Sequence, residues 1–390
     1  MHPQKQKTEP FAQFENYSPG HSVTPDIKKK RFARVDAWLH RHRIIILIAV
    51  ILLCLGIGGA LIYGFRNLTF YSSTGDPITL KKEVRIYSPL TGKEVAEADS
   101  KRVVTAIMIE NSPDARPQSG LKDSGVVFEA IAEGGITRFL ALYQEDQPQL
   151  IGPVRSLRPY YVDWLAAFDP AVAHVGGSVK ALAEVRNGSY IDIDQFSNGA
   201  SYWRAKDRYA PHNVYTSFER LDSLNLKKGF TSSTFNAFPR LDEEKTKNSS
   251  KSKLSQTVVQ EPATSINVTL SSALYNSSYI YDPATKLYAR SQAGKPHTDR
   301  EKGVITPSVV IVIQSPVSQV FEDGYREQYQ TIGSGKANVF QNGTVVSGTW
   351  TKTSKTDQMK FKDSTGKEIK LARGQTWISV IDPSKSVTWQ

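Results

Sequence analysis

Apolar and polar positions divide this chain into three regimes. Residues 1–27 are polar, rich in Pro, Ser and Gln, and carry no hydrophobic period, and with the basic block 28–43 they make up a largely disordered tail. Ile44 to Phe65 follows as 22 residues without a charge. That is close to the roughly 20 needed to cross a hydrocarbon core as a helix. Beyond it, apolar residues recur only in short runs bounded by Gly, Pro and polar clusters, as in a folded body of strands and short helices.

Within that body the pattern predicts particular elements. Val103–Ile109 (VVTAIMI) reads as a buried strand. Gly125–Ala132 and Ile136–Tyr143 read as two strands joined by a hairpin at Gly134-Gly135. Ser156 as cap and Pro159 in the first turn predict a helix over Pro159–Phe168. A strand at Ala171–Val175 and a helix from Val179 to Arg186 follow. Later markers are all strands: Val309–Gln314, then Ala337–Gly348 with Asn342-Gly343 as a type I′ turn, a hairpin near Ser364-Thr365-Gly366, and Thr376–Ile381 closing that hairpin. Between them, residues 241–264 are charged and Ser/Thr-rich, a linker or insertion.

The expected organisation is therefore a cytoplasmic tail (1–43), a single transmembrane helix (44–65), a spacer (66–80), a mixed α/β (α+β) N-terminal domain (81–240), the linker (241–264) and a β-rich C-terminal domain (265–390).

Charge adds orientation. Nine Lys or Arg and four Asp or Glu lie in residues 1–43, so +5 of the net +11 precedes the apolar run. Basic residues concentrate on the cytoplasmic side of membrane helices, which places the body outside. The run is too long for a secretory h-region and lacks a small residue before Cys54, where Leu53 stands, so an uncleaved anchor is expected rather than a lipid-modified cysteine. This topology disfavours nucleic acid as the partner of the basic surface and favours an anionic wall polymer or lipid surface. Cys54 is the single cysteine, so the body has neither disulfide nor thiol nucleophile.

Candidate chemistry lies in three places. Regular alternation puts Glu129, Ile131 and Glu133 on one strand face, with Arg138 diagonal to both carboxylates across the hairpin. Four strand residues separate the glutamates by roughly 13 Å. Glycosidase carboxylate pairs lie about 5–5.5 Å apart in retaining enzymes and about 6.5–9.5 Å apart in inverting ones, so one carboxylate acting alone as acid and then base, with a nucleophile from the substrate, is the mechanism this spacing leaves open. Arg155, Ser156 and Arg158 precede the predicted helix as an anion pocket. Trp203, Arg204, Arg208, His212 and Asn213 combine an aromatic face, donors and an imidazole suited to a polar ligand. Arg290 and His297 echo the Arg204 and His212 spacing weakly. No pair of His residues in the body has zinc-ligand spacing, and no P-loop, Rossmann or nucleophile-elbow motif is present. Neither metal nor cofactor is expected.

Several segments together resemble the YerB-type family of Gram-positive lipoproteins: SPLTGKEV (88–95), IENSPDARPQSGL (109–121), GVVFEAIAEGGITRFLALY (125–143), IGPVRSLRPYYVD (151–163), HVGGS (174–178), APHNVY (210–215), KPHTD (295–299), GSGKANVFQNGTVVSGTW (333–350) and GQTWISVI (374–381). The resemblance runs from about 85 to 385. It implies a mixed α/β domain followed by a β-rich one, and a peptidoglycan lytic transglycosylase using one glutamate, carried onto Glu133 with Glu129 as the alternative. Arg138, Arg155 and Arg158 would then hold anionic groups, and Trp203, Arg204, Arg208, His212 and Asn213 would line the glycan groove. The competing expectation is a non-catalytic wall-binding or scaffold protein. In both, the partners are peptidoglycan glycan strands and, through the helix, the cell membrane.

Overall fold

A computed structural model describes residues 38, 41–66, 84–242, 260–320 and 326–390. The tail to residue 37, the spacer beyond Arg66 and most of the linker lie outside the described residues. The chain divides into two units, Met1–Glu83 and Val84–Gln390.

In the first unit, Arg43–Arg66 forms one 24-residue helix over the predicted span. Its described apolar side chains stand exposed, Ile44 at 75% and Leu55 at 67%. Counted over the fully described residues alone, no helix is long and apolar enough to cross a membrane.

In the second unit, residues 84–242 are mixed α/β and residues 260–390 β-rich. The first segment supplies strands β1 (Thr105–Glu110), β2 (Val126–Glu133), β3 (Ile136–Tyr143), β4 (Ala171–Ala173) and β5 (Ile191–Asp192). These do not form a separate sheet. One sheet runs in the order Lys360–Asp363, Thr344–Lys352, Gly333–Gln341, Val309–Gln314, Thr376–Ile381, β2, β3, β1, β4, β5. The expected division into an N-terminal and a C-terminal domain thus becomes two segments sharing one sheet. Thr376–Ile381 makes the joint. It closes no hairpin; it lies parallel to Val309–Gln314 on one side and to β2 on the other. Its residues, TWISVI, are buried at every position, as a central strand covered on both faces requires.

Both faces are covered. On one face, helix Pro159–Leu165 brings Tyr160, Tyr161 and Trp164 against Phe128, with Trp350 and Phe361 from the C-terminal segment in the same cluster. On the other, helix Phe218–Lys227 and a five-stranded sheet that includes Ser265–Val268, Ser277–Asp282 and Leu287–Gln292 pack over Phe139, Phe340 and Trp377. The expected helix over Pro159–Phe168 ends its α-turns at Leu165 and finishes as a 3₁₀ turn to Phe168. Its cap is Arg158 in extended backbone, with no side-chain capping bond, rather than Ser156. Asn342 and Gly343, at φ 53° and 74°, form the expected tight turn between Gly333–Gln341 and Thr344–Lys352.

Under the second layer lies the polar contact that ties the segments together. Glu129 and Arg290 have fully buried side chains, and Arg290 Nη2 donates to Glu129 Oε1 and Oε2 at 3.0 and 2.8 Å. Trp377 Nε1 donates to Oε2 at 3.0 Å, and its ring lies under the Arg290 guanidinium at 4.5 Å. Arg290 also bonds Tyr279, Gln292 and the Nδ1 of His297. The other His297 nitrogen meets Gln118 Oε1 at 3.0 Å. Burial, reinforced by the Arg290 and Arg116 charges, holds His297 well below the usual imidazole range. The ring is therefore neutral, accepting at Nδ1 and donating from Nε2.

Two outcomes follow. Arg290→Met leaves Glu129 charged and unpaired inside the protein, and should destabilise the body by about 3–5 kcal/mol in denaturant unfolding; a loss under 1 kcal/mol contradicts the bridging role. His297 binds no proton when folded but does when unfolded, so its contribution is present above about pH 6.5 and declines as pH falls below that. Stability measured from pH 7.5 to 5 should decline accordingly, and His297→Gln should flatten the decline.

Candidate functional site

The geometry of the β2–β3 hairpin decides which charges meet. Gly134 and Gly135, at φ 57° and 75°, make the two-residue turn and bring Glu133 opposite Ile136 as expected. A bulge then intervenes. Ile131 pairs with Thr137 and Ala130 with Arg138, leaving Ala132 as an extra residue. One extra residue reverses the alternation. Glu129 and Glu133 accordingly serve opposite faces, which corrects the expectation that they share one. The backbone freed at the bulge is satisfied from outside the hairpin: the Tyr329 hydroxyl oxygen accepts from Ile131 N–H at 3.0 Å, and the Tyr160 hydroxyl donates to the Ile131 carbonyl at 2.8 Å.

Glu129 faces the sealed junction with Arg290. Glu133 faces the opposite way and is gripped by two arginines. Arg138 Nη2 lies 2.8 Å from its Oε1, and Arg158 donates from Nε and Nη2 to Oε2 at 2.9 and 2.8 Å. Both guanidinium side chains are buried, while the Glu133 side chain is 34% exposed. Burial pushes the Glu133 carboxyl up, but the Arg138 and Arg158 charges outweigh it and hold the group below the ordinary range. Arg158 itself is pushed down to about 10 by burial and by Arg138. Arg138 Nη1 also donates to the Ser156 carbonyl at 2.6 Å. The arginines before the helix therefore engage carboxylates rather than join helix amides in an anion pocket.

A second carboxylate completes this face. Glu110, at the end of β1, is the cross-strand neighbour of Arg138. Its Oε1 accepts from the Ser112 hydroxyl at 3.0 Å, lies 2.9 Å from His212 Nδ1, and stands 3.4 Å from Arg155 Nε. Ser112 Oγ is also 3.2 Å from His212 Nδ1. Glu110 and Ser112 were not among the residues singled out from the sequence. The available signal was a carboxylate at the end of an otherwise apolar strand, TAIMIE, immediately before Asn-Ser-Pro.

The remaining candidates divide. His212 joins Glu110. Asn213 and Arg208 instead shape the loop that carries His212: Asn213 Nδ2 donates to the Ala205 and Arg208 carbonyls, both at 3.2 Å, and Arg208 donates to the Asp114 and Pro117 carbonyls. Arg204 Nη1 donates to Asn213 Oδ1 at 2.8 Å. Trp203 stacks under Arg220 at 4.8 Å, beside a groove of about 620 Å³ between residues 197–201 and helix Phe218–Lys227. The Arg204–His212 and Arg290–His297 echo has no structural counterpart, since Arg290 bonds His297 whereas Arg204 bonds Asn213. Among the described residues, no group of His, Cys, Asp and Glu side chains could hold a metal ion.

Comparison with known proteins places this architecture. Residues 90–231 match the N-terminal domain, and residues 266–378 the C-terminal domain, of a family described as "Protein of unknown function (DUF3048)". Over 313 residues, 78% of this chain and 88% of its relative, the sequence is 34% identical to "Putative lipoprotein YerB" of Bacillus subtilis (strain 168). The crystal structure of the YerB protein from Bacillus subtilis superposes with a TM-score of 0.68 at 28% identity, covering 78% of this chain and all of that one. The two domain matches and this degree of likeness lead to one assignment: the chain belongs to the DUF3048 family.

Proposed function

We propose that this chain is an extracytoplasmic protein, tethered with its N-terminus inside by the helix Arg43–Arg66, that binds peptidoglycan glycan strands through the Glu110–Arg138 face. The observation that carries the binding reading is the charge balance on that face. Arg138, Arg155 and Arg158 stand with Glu110 and Glu133, leaving one cation in excess. Arg155 is 26% and His212 23% exposed at the side chain, so this surplus is reachable by an anionic lactyl or peptide group. The tether is supported by the helix itself, whose described apolar side chains, from Ile44 to Ile57, stand uncovered and need lipid or another apolar surface. The relative's name as a lipoprotein is in keeping with a membrane-held, exported body.

Cleavage of the bound strand, as a lytic transglycosylase, is the second reading. Neither glutamate nominated from the sequence suits it: Glu133 is held ionised between two guanidinia, and Glu129 is sealed against Arg290. The observation in favour of cleavage is Glu110, whose Oε2 is buried and has no hydrogen-bond partner.

Full-length protein in detergent should cosediment with purified wall sacculi. Arg155→Ala should weaken that retention about tenfold, the size of one charge-assisted hydrogen bond; unchanged retention would refute the assigned face. Protease added to intact cells after gentle wall removal should degrade the body, and full protection would reverse the topology.

A further inference from the structure

Charge is spread unevenly over the body. Residues 44–390 carry +6 of the net charge, and residues 352–373 supply +4 of that, from seven Lys or Arg and three Asp or Glu. Several of these cations are engaged. Lys352 is buried and its Nζ donates to the Lys355 and Asp357 carbonyls, while Lys355 pairs with Asp163 and Glu184. Arg373 lies over the Tyr87 ring and donates to the Leu241 and Gly92 carbonyls, and Lys367 closes the turn back to Asp363. Lys360, Lys362 and Lys370 remain, and neither they nor Lys336 form an ion pair among the described residues.

Strand pairing gathers these four lysines on one face. Lys336 is opposite Thr349, Thr349 opposite Lys362, and Lys362 opposite Glu368. Two residues along, Thr351 is opposite Lys360. The same antiparallel pairing, continued by the bond from Ile369 N–H to the Phe361 carbonyl, sets Lys370 opposite Lys360. Ala337, Trp350, Phe361 and Ile369 alternate with them and pack into the core on the other face. At sheet spacings the four ammonium groups stem from an area of roughly 14 by 7 Å. Glu368 is the carboxylate within this array, and Asp357, in range of the Lys360 charge, is held by the Thr353 hydroxyl. Lysines on an outer strand keep a sheet edge from pairing. That does not account for Lys336, whose strand lies inside the sheet. Nor does it account for Lys360 and Lys370, since like charges set directly opposite destabilise a sheet. An anion from outside the chain relieves both.

We infer that this lysine face docks on a bilayer surface bearing anionic phosphate headgroups, an inference that rests on the tether proposed above. Charges spread over two dimensions on a sheet meet a plane of phosphates, whereas a single extended polymer strand meets a line of charges. The tether keeps such a plane within reach of the body. Ile332, 43% exposed just before the strand that carries Lys336, adds an apolar side chain for the headgroup boundary. Each lysine close to an anionic membrane strengthens binding about fivefold. Counted across the sheet, the strand of Lys336 lies five strands from β1, which carries Glu110, or about 24 Å. The lysine face is thus separate from the Glu110–Arg138 face, and both can be occupied at once.

The test places the full-length protein in lipid nanodiscs and reads the rate at which a water-soluble acylating reagent modifies each lysine, by mass spectrometry. Discs of phosphatidylcholine are compared with discs in which about a third of the lipid is phosphatidylglycerol; the anionic discs should slow labelling of Lys336, Lys360, Lys362 and Lys370 at least about fivefold. Lys180 and Lys227, on helices Val179–Val185 and Phe218–Lys227, should label equally in both. The protection should vanish at about 1 M salt, where the Debye length is about 3 Å. Lys336→Glu combined with Lys362→Glu, both outside the core, should return Lys360 and Lys370 to the rate seen in phosphatidylcholine. Equal labelling of the four lysines in the two discs would overturn the docking face and leave the tether intact. Protection in the anionic discs that survives the double substitution would also overturn it. So would protection by soluble polyphosphate in phosphatidylcholine discs with none from phosphatidylglycerol, which would assign the face to a free polyanion. A chain that elutes apart from the discs would overturn the tether and this inference with it.

Discussion

The structure depends on the buried pair between Glu129 of β2 and Arg290 of the C-terminal segment. Two unpaired charges in a dry interior would be prohibitive, so each segment carries a group that only the other can neutralise. Trp377 adds a third tie, donating to Glu129 while its ring lies against Arg290. That tryptophan belongs to the strand inserted between the two halves of the sheet. Apolar burial alone would tolerate some sliding of one segment on the other. A bidentate, fully enclosed ion pair with an indole donor does not, because its geometry is satisfied in one register only.

A single inserted residue divides this structural centre from the candidate site. The bulge at Ala132 turns Glu133 away from Glu129 and onto the face of Arg138, Arg158 and Glu110. One strand thus supplies a carboxylate to the junction and another to the exposed cluster. The cost of breaking the ladder is limited because Tyr160 and Tyr329 take up the backbone groups of Ile131. The clusters around His297 and His212 follow the same division: His297 is locked neutral beside Arg290, and His212 stands at the edge beside Glu110. Their similar spacing from an arginine reflects nothing shared in role.

Much of the fold was legible from local pattern. The Gly134-Gly135 and Asn342-Gly343 turns both require positive φ, and each sits between strands with alternating or wholly apolar sequence. The arginines of the site were also visible, since Arg138, Arg155 and Arg158 interrupt otherwise apolar or turn-forming runs. Glu110 was not, because a terminal strand carboxylate looks like an ordinary solvated strand end until Ser112, Arg155 and His212, up to 102 residues away, close around it. Glu129 was visible as a charge in a buried strand, but its partner lies 161 positions further on.

By itself, then, the sequence determined the long apolar helix, the hairpins at Gly134-Gly135 and Asn342-Gly343, and the division into a mixed α/β and a β-rich segment. Each of these follows from side-chain periodicity and backbone preference acting over a few residues. The tertiary structure decided that the two segments share one sheet, that Glu129 and Glu133 face apart, and that Glu110 keeps one oxygen unpartnered. Those outcomes rest on strand order, on one unpaired residue in a ladder and on contacts between distant residues, none of which leaves a periodic trace along the chain.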